Sequence, residues 1–271
     1  MRFRLYATAM TLIVAISNSS AAGIVAYEGF EYVSGSTMNG QGNSSMGWSG
    51  AWSPTPFNAT INDDLIAAGT SLGFGSLGTL GGSVLGTSQT AISGLVRNFA
   101  TPFGQTNETF YMSVLLRPES NAGTGFLGNY FGLTFETSAN DPELFIGRPG
   151  SADTWSLERR GGGLLVSSGV TATTGRTDLL VVRADLSANS DVFRLYVNPQ
   201  LGAAEPAQAV PLTLLNLGVI SGIGLYYTGG FAVDEIRVGT TFSSVTAVPE
   251  AGFPVLLFAT LAAAVGRRGR R

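Results

Sequence analysis

The amino-acid sequence predicts an all-β fold, and three of its properties support that prediction. The chain has 271 residues, of which 37 are Gly and only 12% are charged, so turns should be frequent. Long surface helices usually carry Glu, Lys and Arg spaced for i, i+4 pairs, and most of the chain lacks such residues. Short apolar runs are instead bounded by Gly, Pro, Asn and Asp, as in β-sandwiches.

The predicted strands follow one another between residues 24 and 247, with no linker long enough to divide this region into two domains. In the strand predicted at 110–116, the even-numbered residues are all apolar and share one face. In the strand predicted at 192–197, Arg194 marks the face that contacts water. The stretch 72–86 predicts an irregular loop, because Gly recurs too often for a strand or helix to persist. The remaining strands are expected near residues 25–30, 91–99, 130–135, 144–148, 155–159, 178–186, 219–227 and 231–238.

The residue types that are absent restrict the chemistry. The chain has no His and no Cys, and all 15 of its basic residues are Arg. Cysteine nucleophiles, Ser-His-Asp triads, His-ligated zinc sites and Schiff-base chemistry are therefore excluded. With a net charge of -3, the chain also lacks the basic surface that holds nucleic acid, so nucleic acid is not expected as a partner.

The first 22 residues are typical of a secretory signal peptide. Arg2 and Arg4 precede an apolar run over residues 5–16, which is too short to cross a bilayer. Small residues follow, and Ser20 and Ala22 suit the positions three and one before a cleavage site. We therefore expect cleavage after Ala22. The alternative interpretation is an N-terminal core strand or a membrane anchor.

The last 24 residues combine a short motif, an apolar stretch and a basic tail. The motif is Val248, Pro249 and Glu250, and the apolar stretch runs over residues 253–265. With its flanks this stretch is about long enough for a transmembrane helix, and the positive-inside rule keeps the basic tail in the cytoplasm. The body of the protein then lies outside. The tail residues are Arg267, Arg268, Arg270 and Arg271.

This C-terminal arrangement resembles the PEP-CTERM sorting signal. The resemblance implies an exosortase-like membrane protease as a partner, cleavage close to Glu250, and a transient stay in the inner membrane before release to the cell surface or extracellular matrix. Ala251 stands where the second Pro of the motif usually lies. The alternatives are an uncleaved tail anchor and a helix buried in the domain. A GPI signal is disfavoured, since its hydrophobic tail normally ends the chain.

The body of the chain resembles the LamG-like, concanavalin A-like jelly-roll domains, on the segments 26–32, 47–52, 195–199 and 233–241. The resemblance implies a jelly-roll sandwich of two antiparallel sheets over residues 24–247. It also implies that the first and last strands pair, with residues 27–30 beside residues 236–238. Phe242 stands where this family is expected to carry Trp.

Three carboxylate pairs are candidates for glycan chemistry, since related jelly rolls include glucanases that use paired carboxylates. None has the Glu-x-Asp-x-Glu spacing that lines one cleft from one strand. Adjacent Asp234 and Glu235 should point to opposite faces of a strand. We therefore predict no catalytic residues and a protein that is not an enzyme, with a carboxylate-dependent glycan hydrolase or lyase as the alternative. The pairs are Glu28 with Glu31, Asp141 with Glu143, and Asp234 with Glu235.

No cofactor and no metal site are predicted, although two clusters carry oxygen ligands of the type that calcium prefers. Neither cluster has the spacing of an EF-hand, and polar turn residues are the simpler interpretation. The clusters are Asn62, Asp63 and Asp64, and Asn140, Asp141 and Glu143.

Aromatic residues supply the candidate ligand-binding surface, because exposed rings stack on sugars, although aromatic residues more often pack in a core. Tyr226 and Tyr227 are adjacent in a predicted strand and should face opposite ways, so that one of them faces solvent. Trp48 is the third candidate. Together these features predict an exported, exosortase-sorted surface or matrix protein that binds exopolysaccharide without catalysis.

Overall fold

The computed structural model describes residues 23–44, 46–55, 65–86, 92–105, 107–119, 130–137, 142–160 and 163–247. Within these residues the chain forms two antiparallel sheets. The elements are β1 (Ile24–Glu28), β2 (Ser53–Pro54), β3 (Ile66–Ala67), β4 (Val84–Gly86), β5 (Ser93–Phe103), β6 (Glu108–Pro118), β7 (Phe131–Thr137), β8 (Pro142–Arg148), β9 (Thr154–Arg159), β10 (Leu165–Thr171), β11 (Asp178–Leu186), β12 (Asp191–Val197), β13 (Val210–Leu215), β14 (Ile220–Tyr227), β15 (Phe231–Gly239) and α1 (Phe242–Thr246).

The first sheet has the strand order β13-β12-β11-β6-β15-β4-β3, with β1 also paired to β15. The second sheet has the order β10-β9-β8-β7-β14-β5-β2. The predicted all-β sandwich of two antiparallel sheets is therefore confirmed, whereas the LamG-like assignment stays a prediction.

The core lies between the two sheets and follows the alternation of the strands. In β6, Phe110, Met112 and Val114 face the second sheet and are almost fully buried, as predicted. Tyr111 and Leu115 point the other way and join a second apolar cluster on the outer face of the first sheet. Each large apolar side chain buried in this way contributes about 1.5–3 kcal/mol. Both faces of β6 therefore stabilise the fold.

The first and last strands pair, which confirms the implied arrangement. Ala26 lies opposite Val238, and Glu28 lies opposite Ile236. Near the start of β15, the same edge of this strand pairs with β4, and Phe231 lies opposite Gly86. The long strand β6 occupies the other edge. The final strand therefore joins three strands that precede it in the chain.

Several short elements escaped the sequence-based prediction. The strands β2, β3 and β4 have only two or three residues. β2 and β4 pair with the long strands β5 and β15, β3 pairs with β4, and β4 lies inside the predicted loop 72–86. The edge strand β10 is rich in Ser and Gly, so its sequence carries little strand propensity. The helix α1 has five residues, too few for a periodic signal. It begins after Thr241, whose hydroxyl accepts the Ser244 N–H at 3.2 Å.

The predicted signal peptide with Ala22, the sorting motif Val248–Glu250, the apolar stretch 253–265 and the arginine tail lie outside the described residues. Within the described residues, no helix has the length and apolar character needed to cross a bilayer.

Candidate functional site

The carboxylate of Glu28 forms a buried polar centre at the end of β1. It is ion-paired with Arg97 of β5. Its Oε2 atom also accepts the Tyr32 hydroxyl at 2.7 Å and the Trp52 indole N–H at 3.2 Å. Glu28 is buried, whereas Glu31 is exposed, so this predicted pair is divided between the interior and the surface. The Glu28 centre holds the N-terminal segment to the second sheet.

Asp234 and Glu235 hold the loop of residues 72–80, here termed the N-terminal cover loop, over the outer face of the first sheet. The Asp234 carboxylate accepts the Leu72 amide at 2.7 Å, and the Glu235 carboxylate accepts the Leu80 amide at 2.6 Å. Both acidic residues are fully buried. Leu72 and Leu77 of the loop join the apolar cluster on this face. These carboxylates therefore satisfy buried backbone donors.

The prediction that Asp234 and Glu235 point to opposite faces is wrong, because β15 is irregular at this position. Glu235 has a φ of +54°, in the left-handed region, and the pairing with β6 shifts register between Asp234 and Arg237. The bulge directs both carboxylates to the same loop. A strand pattern in sequence cannot reveal it, since alternation assumes a regular pleat.

The remaining carboxylate pair, Asp141 with Glu143, and both candidate calcium clusters lie outside the side chains that the structure describes. These residues are Asn62, Asp63, Asp64, Asn140, Asp141 and the side chain of Glu143. Among the side chains that the structure does describe, no group of three or more acidic residues lies close enough to hold a metal ion.

Trp48, Tyr226 and Tyr227 do not form an exposed stacking surface. The exposed fraction is 2% for Trp48 and 0% for each tyrosine. Trp48 stacks on Phe99 with the ring centroids 5.2 Å apart, and Tyr227 packs in the core 5.3 Å from Phe231. The two tyrosines do face opposite sides of β14, as predicted. The prediction that one of the two tyrosines faces solvent is wrong, because both are fully buried.

Tyr226 faces outward from the second sheet but is covered. Its ring lies directly over Gly224, since a Cβ atom at that position would come within 2.5 Å of the Tyr226 ring. On the other side, the Arg160 guanidinium lies 4.8 Å from the ring centroid. Phe145 lies over Gly132 in the same way and stacks on Tyr130 at 4.3 Å. The glycines of this face thus accommodate rings that pack against the sheet.

A groove of about 720 Å³, here termed the edge groove, opens on the surface of the described residues. It lies where the edge strand β10 of the second sheet approaches β12 of the first. Its volume is within the range of small-molecule and cofactor sites. The lining combines apolar side chains with a similar amount of uncharged polar surface and consists of Ser168, Val170, Leu195, Tyr196, Val197, Pro199, Pro206, Ala207, Gln208 and Ala209.

One wall of the edge groove is an open strand edge. The last pair between β12 and β13 is Leu195 with Val210, so no described strand pairs with Tyr196 and Val197 on that side. Backbone donors and acceptors at an unpaired edge remain available for a ligand or for water. The groove therefore offers polar backbone groups beside an apolar floor.

The opposite wall is the loop of residues 199–209, here termed the C-terminal cover loop, and Glu205 fastens it to the first sheet. The Glu205 carboxylate accepts the hydroxyls of Tyr196 and of Tyr111, the latter at 2.8 Å. It also forms an ion pair with Arg183 at 3.2 Å. Leu201 of the loop packs on the apolar cluster of this face. Glu205 therefore determines where one wall of the groove lies.

This network shifts the ionisation of its members. Burial opposes the charge of Glu205, but the hydrogen bonds from Tyr196, Tyr111 and Arg183 outweigh burial and lower its pKa. Burial and the hydrogen bond to Glu205 raise the pKa of Tyr111 to about 12. Both tyrosines thus remain protonated donors, and Glu205 remains a charged acceptor, at neutral pH.

Sequence reasoning did not identify the edge groove. Its walls come from residues 168–170 and from residues 195–209, which only the approach of the two sheet edges brings together. The available signal was the pair Pro199 and Pro206, which marks a turn-rich segment. These two prolines do not indicate that the segment 195–209 lies next to β10 in the folded protein.

No protein-family model matches the chain, and no curated protein sequence matches it. Among solved structures, it is similar to the catalytic domain of the glycoside hydrolase family 131 protein from Coprinopsis cinerea. That match has 10% identity and a TM-score of 0.49, and it covers 83% of this chain and 100% of that one.

The chain is also similar to the lectin UEA-II complexed with galactose, with 10% identity, a TM-score of 0.36, and coverage of 65% of this chain and 89% of that one. A sialidase matches 72% of the chain with 10% identity and a TM-score of 0.41, and the chain spans 17% of that protein's length. At these identities the likeness concerns the fold alone.

Proposed function

We propose that this protein is an exported, non-enzymatic surface or extracellular-matrix protein whose β-sandwich binds polysaccharide in the edge groove. The observation that carries the proposal is the groove itself, an open concavity of about 720 Å³ with an apolar floor and an unpaired strand edge. Apolar surface with a few placed polar groups suits the faces and hydroxyls of sugar rings. We assign ligand binding to this groove instead of to Trp48, Tyr226 and Tyr227, which are buried.

A non-enzymatic role is supported by the use of the buried carboxylates. Glu28 is ion-paired with Arg97, and Asp234 and Glu235 accept backbone amides of the N-terminal cover loop. Glycoside hydrolysis needs two carboxyl groups that face each other across the sugar in an open cleft. These three side chains are buried and serve the fold instead.

Export and sorting follow from the terminal motifs. In this proposal the chain loses residues 1–22, passes through the inner membrane, and is processed near Glu250 by an exosortase-like membrane protease. The basic tail from Arg267 to Arg271 stays on the cytoplasmic side until cleavage. The mature protein then resides at the cell surface or in the extracellular matrix.

A carboxylate-dependent glycan hydrolase or lyase is the second candidate, and Glu158 favours it. This residue lies on the outer face of the second sheet and is half-buried. Burial raises its pKa, partly offset by Arg160, as a general acid requires. Glu136 lies on the same face, two strands away across β8, but is fully buried and accepts the Thr134 hydroxyl, so Glu158 is the accessible carboxyl group of the two.

A glycan array probed with the purified chain tests the binding proposal, and release of reducing ends or unsaturated products from the bound glycans tests the enzymatic alternative. We expect bound glycans and no turnover. Turnover abolished by Glu158→Gln would establish the alternative, and an array with no bound glycan would contradict polysaccharide binding.

Mass spectrometry of the mature protein from its native host tests the sorting proposal. We expect a new N-terminus at Gly23 and loss of the segment that contains Arg271. An exported form that retains Arg271 would contradict processing by a sorting protease.

A further inference from the structure

We infer that the edge groove selects neutral, hydroxyl-rich polysaccharides over anionic ones. This inference rests on the proposed polysaccharide binding and goes beyond it by naming the charge class of the ligand. It concerns the groove between β10, β12 and the C-terminal cover loop.

The first argument is the lining. None of the ten lining residues carries a formal charge. Uronate and sulfate groups are held in proteins mainly by Arg or Lys through charge-assisted hydrogen bonds. An anionic group placed against Val170 or Pro206 would lose hydration without gaining a cation.

The second argument is that the neighbouring arginines are already paired. Arg183 binds Asp185 at 2.8 Å and Glu205 at 3.2 Å, and Arg194 is ion-paired with Asp185. Two guanidinium groups and two carboxylates cancel, so this network adds no net positive field at the groove. The Glu205 carboxylate is itself occupied by Tyr111, Tyr196 and Arg183 and does not line the groove.

The third argument is the set of polar groups that remain. Gln208 is exposed, and its side-chain amide has no hydrogen-bond partner among the described residues. The Ser168 hydroxyl accepts the Val170 N–H at 3.1 Å, which leaves its own hydrogen to donate. The open edge adds the backbone N–H and C=O of Val197, since strand alternation directs those of Tyr196 towards β11. Sugar hydroxyls both donate and accept, so they match this mixed, uncharged set.

An extended peptide fits the groove less well. A peptide that extends a sheet needs a continuous edge of at least three or so residues to form a ladder. The open edge of β12 spans two residues, and Pro199 lies two positions beyond Val197. The outer edge of β10 is irregular, since its pairing with β9 breaks between Ser167 and Thr171 and Gly169 has a φ of +75°. Proline removes the backbone donor that a longer ladder needs. Sugar hydroxyls need no such register.

The test is isothermal titration of the full-length chain in a polyoxyethylene detergent, which carries no sugar. The ligands are neutral hexasaccharides of glucan, mannan and xylan, uronate hexasaccharides of matched length, and an extended uncharged peptide. The variants are Gln208→Ala and Gln208→Arg. Gln200→Ala is the matched control, since Gln200 is exposed on the same loop and does not line the groove. Thermal melting verifies that each variant is folded.

We expect a neutral hexasaccharide to bind, Gln208→Ala to weaken it about fivefold, and Gln200→Ala to leave it unchanged. Gln208→Arg should raise the affinity for uronates. Tighter binding of uronate than of neutral ligands by the wild-type chain, or of the peptide, would overturn the inference. So would binding that Gln208→Ala leaves intact, since the ligand would then lie elsewhere and polysaccharide binding would stand. No bound saccharide of either class would remove the proposed function as well.

Discussion

Asp234 and Glu205 each attach a loop to the same face of the first sheet, but Asp234 is buried and Glu205 is partly exposed. Asp234 belongs to the sheet, is fully buried, and accepts a backbone amide of the N-terminal cover loop. Glu205 belongs to the C-terminal cover loop, keeps 23% of its side chain exposed, and accepts hydroxyls of the sheet. The two loops are neighbours, since a Cβ atom at Gly75 would lie 3.4 Å from Leu201.

The difference shows that burial determines the sign of the pH dependence. Burial raises the pKa of Asp234 to about 8, against the lowering effect of its hydrogen bonds from the Leu72 and Glu235 amides. At Glu205 the hydrogen bonds outweigh burial and lower the pKa. Rising pH therefore reduces folding stability through the buried charge on Asp234, and falling pH reduces it through loss of the charge on Glu205.

The largest effect is expected from Asp234→Ala. The substitution leaves the amides of Leu72 and Glu235 without their acceptor in a buried site. Each unsatisfied buried donor costs about 1–3 kcal/mol, so the loss of both acceptors should lower the free energy of unfolding by about 2–6 kcal/mol in urea titrations. Glu31→Ala, at an exposed position, is the control. A change equal to that of the control would show that the N-terminal cover loop does not depend on Asp234.

The second effect is the pH dependence that Asp234 imposes. Because its folded pKa is raised, its contribution to stability is complete below the unfolded value near pH 4 and is lost as pH rises through about 8. One such proton gives a slope of up to about 1.4 kcal/mol per pH unit. Asp234→Asn should flatten this slope between pH 5 and pH 9 in unfolding titrations. An unchanged slope would assign the pH dependence to other groups.

A smaller effect is expected from Glu205→Gln. Glutamine keeps one acceptor for the tyrosine hydroxyls but loses the ion pair with Arg183. Since the site is partly exposed, the loss in unfolding free energy should be about 1 kcal/mol. The contribution of Glu205 is present above its unfolded pKa near 4.3 and is lost as pH falls through the lowered folded value. The variant should therefore lose less stability than the wild type on acidification, and an equal loss would contradict the assignment.

The smallest effect is expected from Thr109→Ala, at the periphery of the same network. Its exposed hydroxyl donates to Asp185 at 2.8 Å. Burial opposes the charge of Asp185, but this bond and the bonds from Arg183 lower its pKa. Removal of the hydroxyl should raise that pKa in an NMR titration while stability changes by less than about 0.5 kcal/mol. A larger loss of stability would mean that the exposed part of the network matters as much as Glu205.

The long strands could be predicted from sequence because their alternation is local. The predicted strand 178–186 coincides with β11, and the faces of β6 and β12 agree with expectation. The pairing of β1 with β15 was implied by family resemblance, and the structure confirms it. A local sequence pattern is enough to predict which side chains are buried where a regular strand alternates between the two faces of a sheet.

The candidate site could not be predicted, because its determinants are not local. Tyr226 faces outward from β14, yet Arg160, the residue after β9, covers its ring. The left-handed Glu235 breaks the alternation that separated it from Asp234. Glu205 carries no motif, and its role follows only from the approach of Tyr111 and Tyr196. Such contacts depend on the assembled sheets.

The position of β15 has a consequence for the order of folding. This strand lies between β6 on one edge and both β1 and β4 on the other. A chain that emerges N-terminus first, from a ribosome or through a membrane channel, therefore cannot close its first sheet until residue 239 is available. Pairings between such distant segments form slowly. Until then β1 lacks its strand partner and β4 pairs only with β3, so the first sheet stays incomplete.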